Sequence, residues 1–140
     1  MQKKLLILLT VALVGLGLAQ DVGTSTSVPQ APKFQLGLDS LTIAWPSTDN
    51  KGGIVNSFGL NLGLGISYRS YFEPLYPGKG SLYWEAGTIL IFIPGWVGIG
   101  YDYRFNEQFY VGGGVQIAPL TLLIGTWPIY PALHLGVYIY

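Results

Sequence analysis

Cysteine is absent from the chain, which excludes a disulfide scaffold, thiolate metal sites and a cysteine-anchored lipoprotein. There is a single histidine, His134. A cluster of histidine metal ligands therefore cannot form, and a Ser-His-acid arrangement would have to be built on this one residue. Charge is equally scarce, at 10% of residues with a net of zero, against roughly 25% charged residues in ordinary soluble domains. The only adjacent basic pair is Lys3-Lys4. With no basic stripe, nucleic acid is not an expected partner. No phosphate loop or nucleophile elbow is present: residues 78–81 lack the upstream glycine of the first, and residues 65–69 lack the second glycine of the other.

Apolar and small residues take the place of charge. The chain of 140 residues is 50% hydrophobic, has 20 glycines, and its aromatic 14% is mostly tyrosine. So few charges would leave the surface of a soluble domain poorly hydrated, whereas lipid removes that requirement. The beginning of the chain is read as an export signal. Residues 1–4 are basic, 5–18 apolar, and Gly17 and Ala19 put small residues at a cleavage site, so that processing leaves Gln20 first. Residues 20–33, rich in Ser, Thr, Pro and Gln, read as a flexible periplasmic arm, and residues 34–140 as the folded domain.

Within that domain the hydropathy alternates with period two, the mark of strands with two chemically different faces. Six strands are expected, over residues 34–45, 58–68, 81–93, 97–105, 109–117 and 133–139, with a bulge near Asp39-Ser40 and a turn at Pro94-Gly95. One face carries Leu, Ile, Val and Phe; the other carries Gly, Ser, Asn, Gln and a few charges. A solvated strand face rarely uses glycine, but the inside of a narrow barrel has little room for side chains. The expected fold is therefore all-β: a small antiparallel transmembrane barrel of six to eight strands with its apolar face outward. Residues 22–31 and 120–127 are the candidates for a further pair, since extra strands must come in twos.

This phasing directs Arg69, Glu85, Asp102, Arg104, Gln116 and His134 inward, as a polar network that plugs the lumen toward the periplasmic rim. With both ends of the barrel on one side, Trp45, Trp96 and Trp127 are expected at one rim. Tyr68, Tyr71, Tyr83, Tyr101, Tyr103, Phe105, Phe109, Tyr110, Tyr138 and Tyr140 are expected at the other, the two sets forming aromatic girdles. A helical span over residues 117–137 is disfavoured, because Pro119, Pro128 and Pro131 interrupt it and proline costs about 3 kcal/mol in a helix interior.

The signal peptide, the run of residues 101–110 (YDYRFNEQFY) and the aromatic Tyr140 resemble small outer-membrane β-barrels of the OmpA/OmpX type. The likeness is one of pattern and extends over the chain after about residue 33. It implies eight strands, aromatic strand ends beside short periplasmic turns, and recognition of the final strand by the barrel-assembly machinery. Tyr140 departs from the family pattern by falling in phase with His134 and Tyr138 rather than with the outward apolar residues. The function expected is that of a non-enzymatic integral outer-membrane protein, with lipid as its surroundings, no cofactor, and loops 46–55 and 119–130 facing the outside or a partner. A narrow transport or ligand-binding barrel for small apolar molecules is the alternative, with residues 120–124 as the way in. A lipid-modifying enzyme built on His134 is the third class.

Overall fold

Alternating side chains make a ribbon with one apolar and one polar-or-small face, and such a ribbon can satisfy both faces by closing on itself. In the computed structural model the described residues are 30–38, 40–91 and 93–140; the expected signal peptide and most of the expected arm lie outside them. They form eight strands: β1 Phe34–Gly37, β2 Ile43–Thr48, β3 Ile54–Leu60, β4 Ile66–Leu75, β5 Lys79–Ile89, β6 Ile93–Arg104, β7 Phe109–Ile117 and β8 Ile129–Ile139. Each pairs antiparallel with its neighbours, and β1 pairs with β8, so the barrel is closed. Residues 30–33 carry no strand, although the Lys33 amide donates to the Ile139 carbonyl beside β1.

Eight strands arise where six were expected because two of the expected strands are hairpins. Residues 34–45 do not bulge; the chain reverses between β1 and β2, pairing Gln35 with Ala44. Residues 58–68, the most regular alternation in the chain, reverse at residues 61–65, pairing Leu60 with Ile66. The alternation Leu60, Leu62, Leu64, Ile66 runs straight across this turn and hides it. Residues 120–127 supply no strand: they hold the 3₁₀ helix Pro119–Ile124, closed by Gly125 in the left-handed conformation. Pro94-Gly95 is not a turn but the start of β6, where Pro94 opposes Thr88 across a register shift.

The register sets the barrel's tilt. A path of paired residues from Tyr138 through Gln35, Ala44, Gly59, Ser67, Gly87 and Trp96 continues to Ala118, whose amide donates to Pro128. The circuit returns to β8 ten residues from where it left, Tyr138 against Pro128. With a rise of about 3.3 Å per residue and about 4.8 Å between strands, that displacement tilts the strands by about 40°.

The two rims follow from this connectivity. The terminal rim holds Lys33, Tyr140 and the turns at residues 49–53, 76–78 and 105–108; the loop rim holds the β1–β2 reversal, the turn at residues 61–65, the β5–β6 reversal with residues 90–91, and the connection 118–128. Loops 46–55 and 119–130 are thus at opposite ends, which corrects the expectation that both face the outside. The two extra reversals invert the direction of β2 and β3 relative to a single long strand.

Candidate functional site: the filled lumen

Side chains alternate between a fully buried set and an exposed set along β4, β5 and β6, and the buried set is the polar one. Arg69, Glu85, Asp102, Arg104 and His134 are all 2% exposed or less, whereas Leu133 is 84% and Ile99 56% exposed. This inverts the arrangement of a soluble protein.

Arg69 stands mid-strand in β4 and organises the central layer. Its Nη2 lies 2.8 Å from Glu85 Oε2 and its Nη1 3.0 Å from Asp102 Oδ2, and the guanidinium sits 4.6 Å above the Tyr83 ring. The Tyr71 hydroxyl donates to the same Asp102 oxygen at 2.7 Å. On the opposite wall His134 presents Nδ1 3.1 Å from Asp102 Oδ1 and Nε2 3.3 Å from the Tyr83 hydroxyl. Gln116 donates to Glu85 Oε1 and Ser40 to Glu85 Oε2, both at 2.6 Å. Two carboxylates removed from water would be costly alone; here every one of their oxygens accepts a hydrogen bond. Gln35 and Tyr110 form a second buried contact at 2.6 Å, and Ser57 donates to Gln35.

Arg104 belongs to a separate layer at the terminal rim. It donates to the carbonyls of Leu75 and Glu107 and to the Glu107 carboxylate, and lies against the Tyr140 hydroxyl. Its guanidinium lies over the Tyr138 ring, 5.0 Å from the centroid, and Tyr138 belongs to a buried cluster with Ile54, Leu75, Tyr71, Tyr83 and Tyr110, against which Tyr140 packs. The inward residues therefore form two layers, one central and one at the terminal rim, where a single plug at the rim was expected. Arg69 is not near a strand end.

Glycines make the space. A Cβ on Gly112 would stand 2.0 Å from Asp102 Oδ1, one on Gly100 2.2 Å from the Tyr83 hydroxyl, and one on Gly136 2.5 Å from the Tyr110 ring. These three inward glycines sit where a neighbouring large polar or aromatic side chain needs the wall to recede.

The expected aromatic girdles divide. Tyr101, Tyr103 and Phe105 are exposed on the outer face beside the 105–108 turn, with Tyr103 and Phe105 edge to face, and Phe109 begins the next strand there. Trp45 is exposed on β2, opposite Phe58, which opposes Tyr68; Tyr68 meets Trp84 at a tilt of 53°, with ring centroids 5.4 Å apart. Trp45 and Tyr68 are each the third residue of their strands from the loop-rim end, so this lateral aromatic group brings Tyr68 to the tryptophan side and away from the other tyrosines. Trp96 is in phase with Gly98, Gly100 and Asp102 and lines the barrel mouth, so it is not part of an outer girdle. Trp127 lies in the loop-rim connection. Tyr71, Tyr83, Tyr110 and Tyr138 are buried in the core rather than placed at a rim, and Tyr140 folds onto Arg104. Phase carried the signal for these inward tyrosines: Tyr83 is two residues from Glu85, and Tyr138 four from His134.

At the loop rim a cavity of about 180 Å³ is bounded by Ser40, Asn61, Leu62, Gly63, Trp96 and Gln116. Two of these residues, Ser40 and Gln116, donate to Glu85 of the central layer. At the terminal rim the Tyr76 hydroxyl donates to Asp49 at 2.5 Å, a bond that lowers the Asp49 carboxyl and raises the Tyr76 phenol from their ordinary values. Among the described residues no group of His, Asp and Glu is arranged to hold a metal ion, and no helix is long and apolar enough to cross a membrane. The chain matches no family model, no curated protein and no solved structure.

Proposed function

We propose that the chain is a non-enzymatic integral β-barrel of a bacterial outer membrane, structural or surface-interacting in role, with a plugged lumen. The observation that carries this reading is the inverted barrel: exposed Leu, Ile, Val and aromatic side chains on the outside, paired charges and tyrosines within. In water such an exterior would drive association, since contiguous apolar patches beyond a few hundred Å² are rare on soluble monomers. In lipid a closed barrel leaves no backbone edge unpaired. The export signal expected in residues 1–19 is consistent with this location, as is the OmpA/OmpX-like pattern.

The plug supports a structural role over conduction. Arg69, Glu85, Asp102 and His134 reach across the lumen, and Arg104, Ile54 and Leu75 close the terminal rim. His134 is committed to Asp102 and Tyr83 inside this packing, which supports a lumen-filling role rather than a catalytic one. The transport or ligand-binding reading draws on the cavity at the loop rim, which would admit a small molecule only as far as Gln116.

The test is to express the full chain and fractionate the cell envelope. Recovery with outer membranes, a faster-migrating band in unheated samples, and mature protein beginning at Gln20 are expected. A monodisperse species that folds without detergent would overturn the membrane reading. Reconstitution in planar bilayers separates the remaining two: silence is expected, and a steady conductance abolished by Asp102→Ala would establish transport instead.

A further inference from the structure

We infer that the 61–65 turn, the tip at residues 90–91 and the 118–128 connection of the loop rim form a lipid-contacting surface, lying among acyl chains rather than in water. The inference rests on the membrane reading above and specifies what one end of the barrel touches.

Charge is distributed by end. Among the described residues, every charged side chain outside the lumen belongs to the terminal rim: Lys33, Asp49, Lys51, Glu73, Lys79 and Glu107; in the sequence Asp39 falls between β1 and β2, and that connection is left outside the inference. The loop rim instead exposes Leu62 at 77%, Leu64 at 74%, Leu123 at 82%, Ile124 at 75% and Trp127 at 73%. Leu123, Ile124 and Trp127 continue the apolar outer face of β7 and β8, where Val115, Ile117, Ile129 and Leu133 are also exposed, and Leu62 and Leu64 continue that of β3, with Phe58 and Leu60.

Backbone conformation points the same way. At the terminal rim, positive φ falls on Gly52 and Gly78; at the loop rim it falls on Gly125 in the 118–128 connection but on Leu64, Leu90 and Ile91 in the turns. Left-handed backbone is strained for such residues and easy for glycine or asparagine. These turns thus accept strain while showing apolar side chains outward, which has no benefit in water.

The polar groups of the 61–65 turn are met internally, as a hydrocarbon environment demands. The Asn61 carboxamide oxygen accepts from the amides of Gly63 and Gly65, and its nitrogen donates to Ser67 and the Thr88 carbonyl. In the 118–128 connection the Thr121 and Thr126 hydroxyls donate to the carbonyls of Ala118 and Thr121. An apolar hollow of about 590 Å³, bounded by Leu122, Gly125, Thr126, Trp127, Pro128 and Ile129, offers an acyl chain a seat.

Height agrees. At the tilt derived above, the twelve residues of β6 climb about 30 Å, the thickness of a hydrocarbon core. The seven residues of β3 climb only about 18 Å. With the charged rim at one boundary, the 61–65 turn lies inside the hydrocarbon, and residues 90–91 and 118–128 lie at its far edge.

The test uses full-length protein in phosphatidylcholine vesicles containing acyl-brominated lipid, with iodide available on both sides. Two single-tryptophan forms are compared, one keeping Trp127 and one keeping Trp84 on the barrel's outer face. Trp127 is expected to lose at least as large a fraction of its emission to bromolipid as Trp84, and to resist iodide. Quenching of Trp84 by bromolipid with Trp127 open to iodide would overturn the inference and leave the membrane reading standing. Quenching of neither by bromolipid would overturn both. A Trp127 shielded from both quenchers, in protein that sediments as a dimer in detergent, would assign the rim to a second copy and also overturn the inference. If the tryptophan replacements do not fold, the cysteine-free chain allows Leu123→Cys and Lys51→Cys, each carrying a polarity-sensitive dye. A blue-shifted emission at 123 relative to 51 is expected, and equal emission overturns the inference.

Discussion

Asp102 receives Arg69 and Tyr71 on one oxygen and His134 on the other, so its removal takes a partner from three side chains in a fully buried site. Asp102→Ala is expected to destabilise the folded barrel by about 3–5 kcal/mol, the range for breaking a buried pair. Arg69→Met is expected to cost more, because it leaves both Glu85 and Asp102 without their cation. The combined replacement of Arg69 and Asp102 should cost less than the sum, a coupling that urea unfolding in detergent micelles or vesicles measures. At the terminal rim, the Tyr76 hydroxyl holds the Asp49 carboxyl below the 3.8 of a free aspartate. A depressed carboxyl contributes stability above its unfolded value, lost as pH falls through the folded one. The 49–53 turn should therefore loosen only below about pH 4. Tyr76→Phe is expected to raise the Asp49 midpoint in a carboxyl-carbon NMR titration; an unchanged midpoint would show that the Gly53 and Lys51 amides hold the charge unaided.

Within a single strand, β7 tests the two-faced construction. Gly112 points into the lumen, where a Cβ would meet Asp102 at 2.0 Å and the Tyr101 carbonyl at 2.5 Å; Gly113 points outward, its closest approach being 3.2 Å. Gly112→Ala is expected to destabilise by about 1–3 kcal/mol through overpacking, and Gly113→Ala by less than 1 kcal/mol. Comparable losses from both, in the same unfolding assay, would mean that the lumen is looser than the packing of Tyr83 and Asp102 implies. The alternation of β6, β7 and β8 was readable because their two faces differ in chemistry as well as polarity: Val97, Ile99 and Tyr101 against Gly98, Gly100 and Asp102. The β3–β4 turn was not readable. Its tip residues Leu62 and Leu64 keep the period-two rhythm of the strands on either side, and turn chemistry shows only in Asn61 and the two glycines. Leu90 and Ile91 conceal the β5–β6 reversal in the same way, placing apolar residues where turns ordinarily use Asn or Gly.

For the whole molecule, the decisive quantity is the difference between the two faces of the closed sheet. Ile99 is 56% exposed near the middle of β6. In lipid, Ile99→Arg is expected to cost about 2–4 kcal/mol in unfolding from vesicles, the range for a cation at the bilayer midplane. The same change in a barrel bathed by water would be close to neutral, so an effect below about 0.5 kcal/mol would argue against a lipid-facing wall. The corrected strand count also changes what the ends do. With two further reversals, the 49–53 turn joins the charged terminal rim, and the 118–128 connection stays with the apolar one.

Local chemistry alone establishes an all-β chain with one apolar and one small-or-polar face, because alternation is a property of neighbouring residues and needs no partner. It also establishes which side chains share a face: Arg69, Glu85, Asp102, Gln116 and His134 keep the phase of the inward glycines. Closure decided the rest. Register and tilt determine that Arg69 reaches Glu85 and Asp102 while Arg104, on the same face as Asp102, turns to Glu107 and Tyr140 instead. Curvature brings His134 of β8 opposite β4, two strands that share no hydrogen-bonded edge. Strand number itself depended on two reversals: residues 61–65 keep the alternating rhythm of the strands they join, residues 38–42 read as a bulge within one strand, and only pairing between the strands reveals that the chain turns back at both.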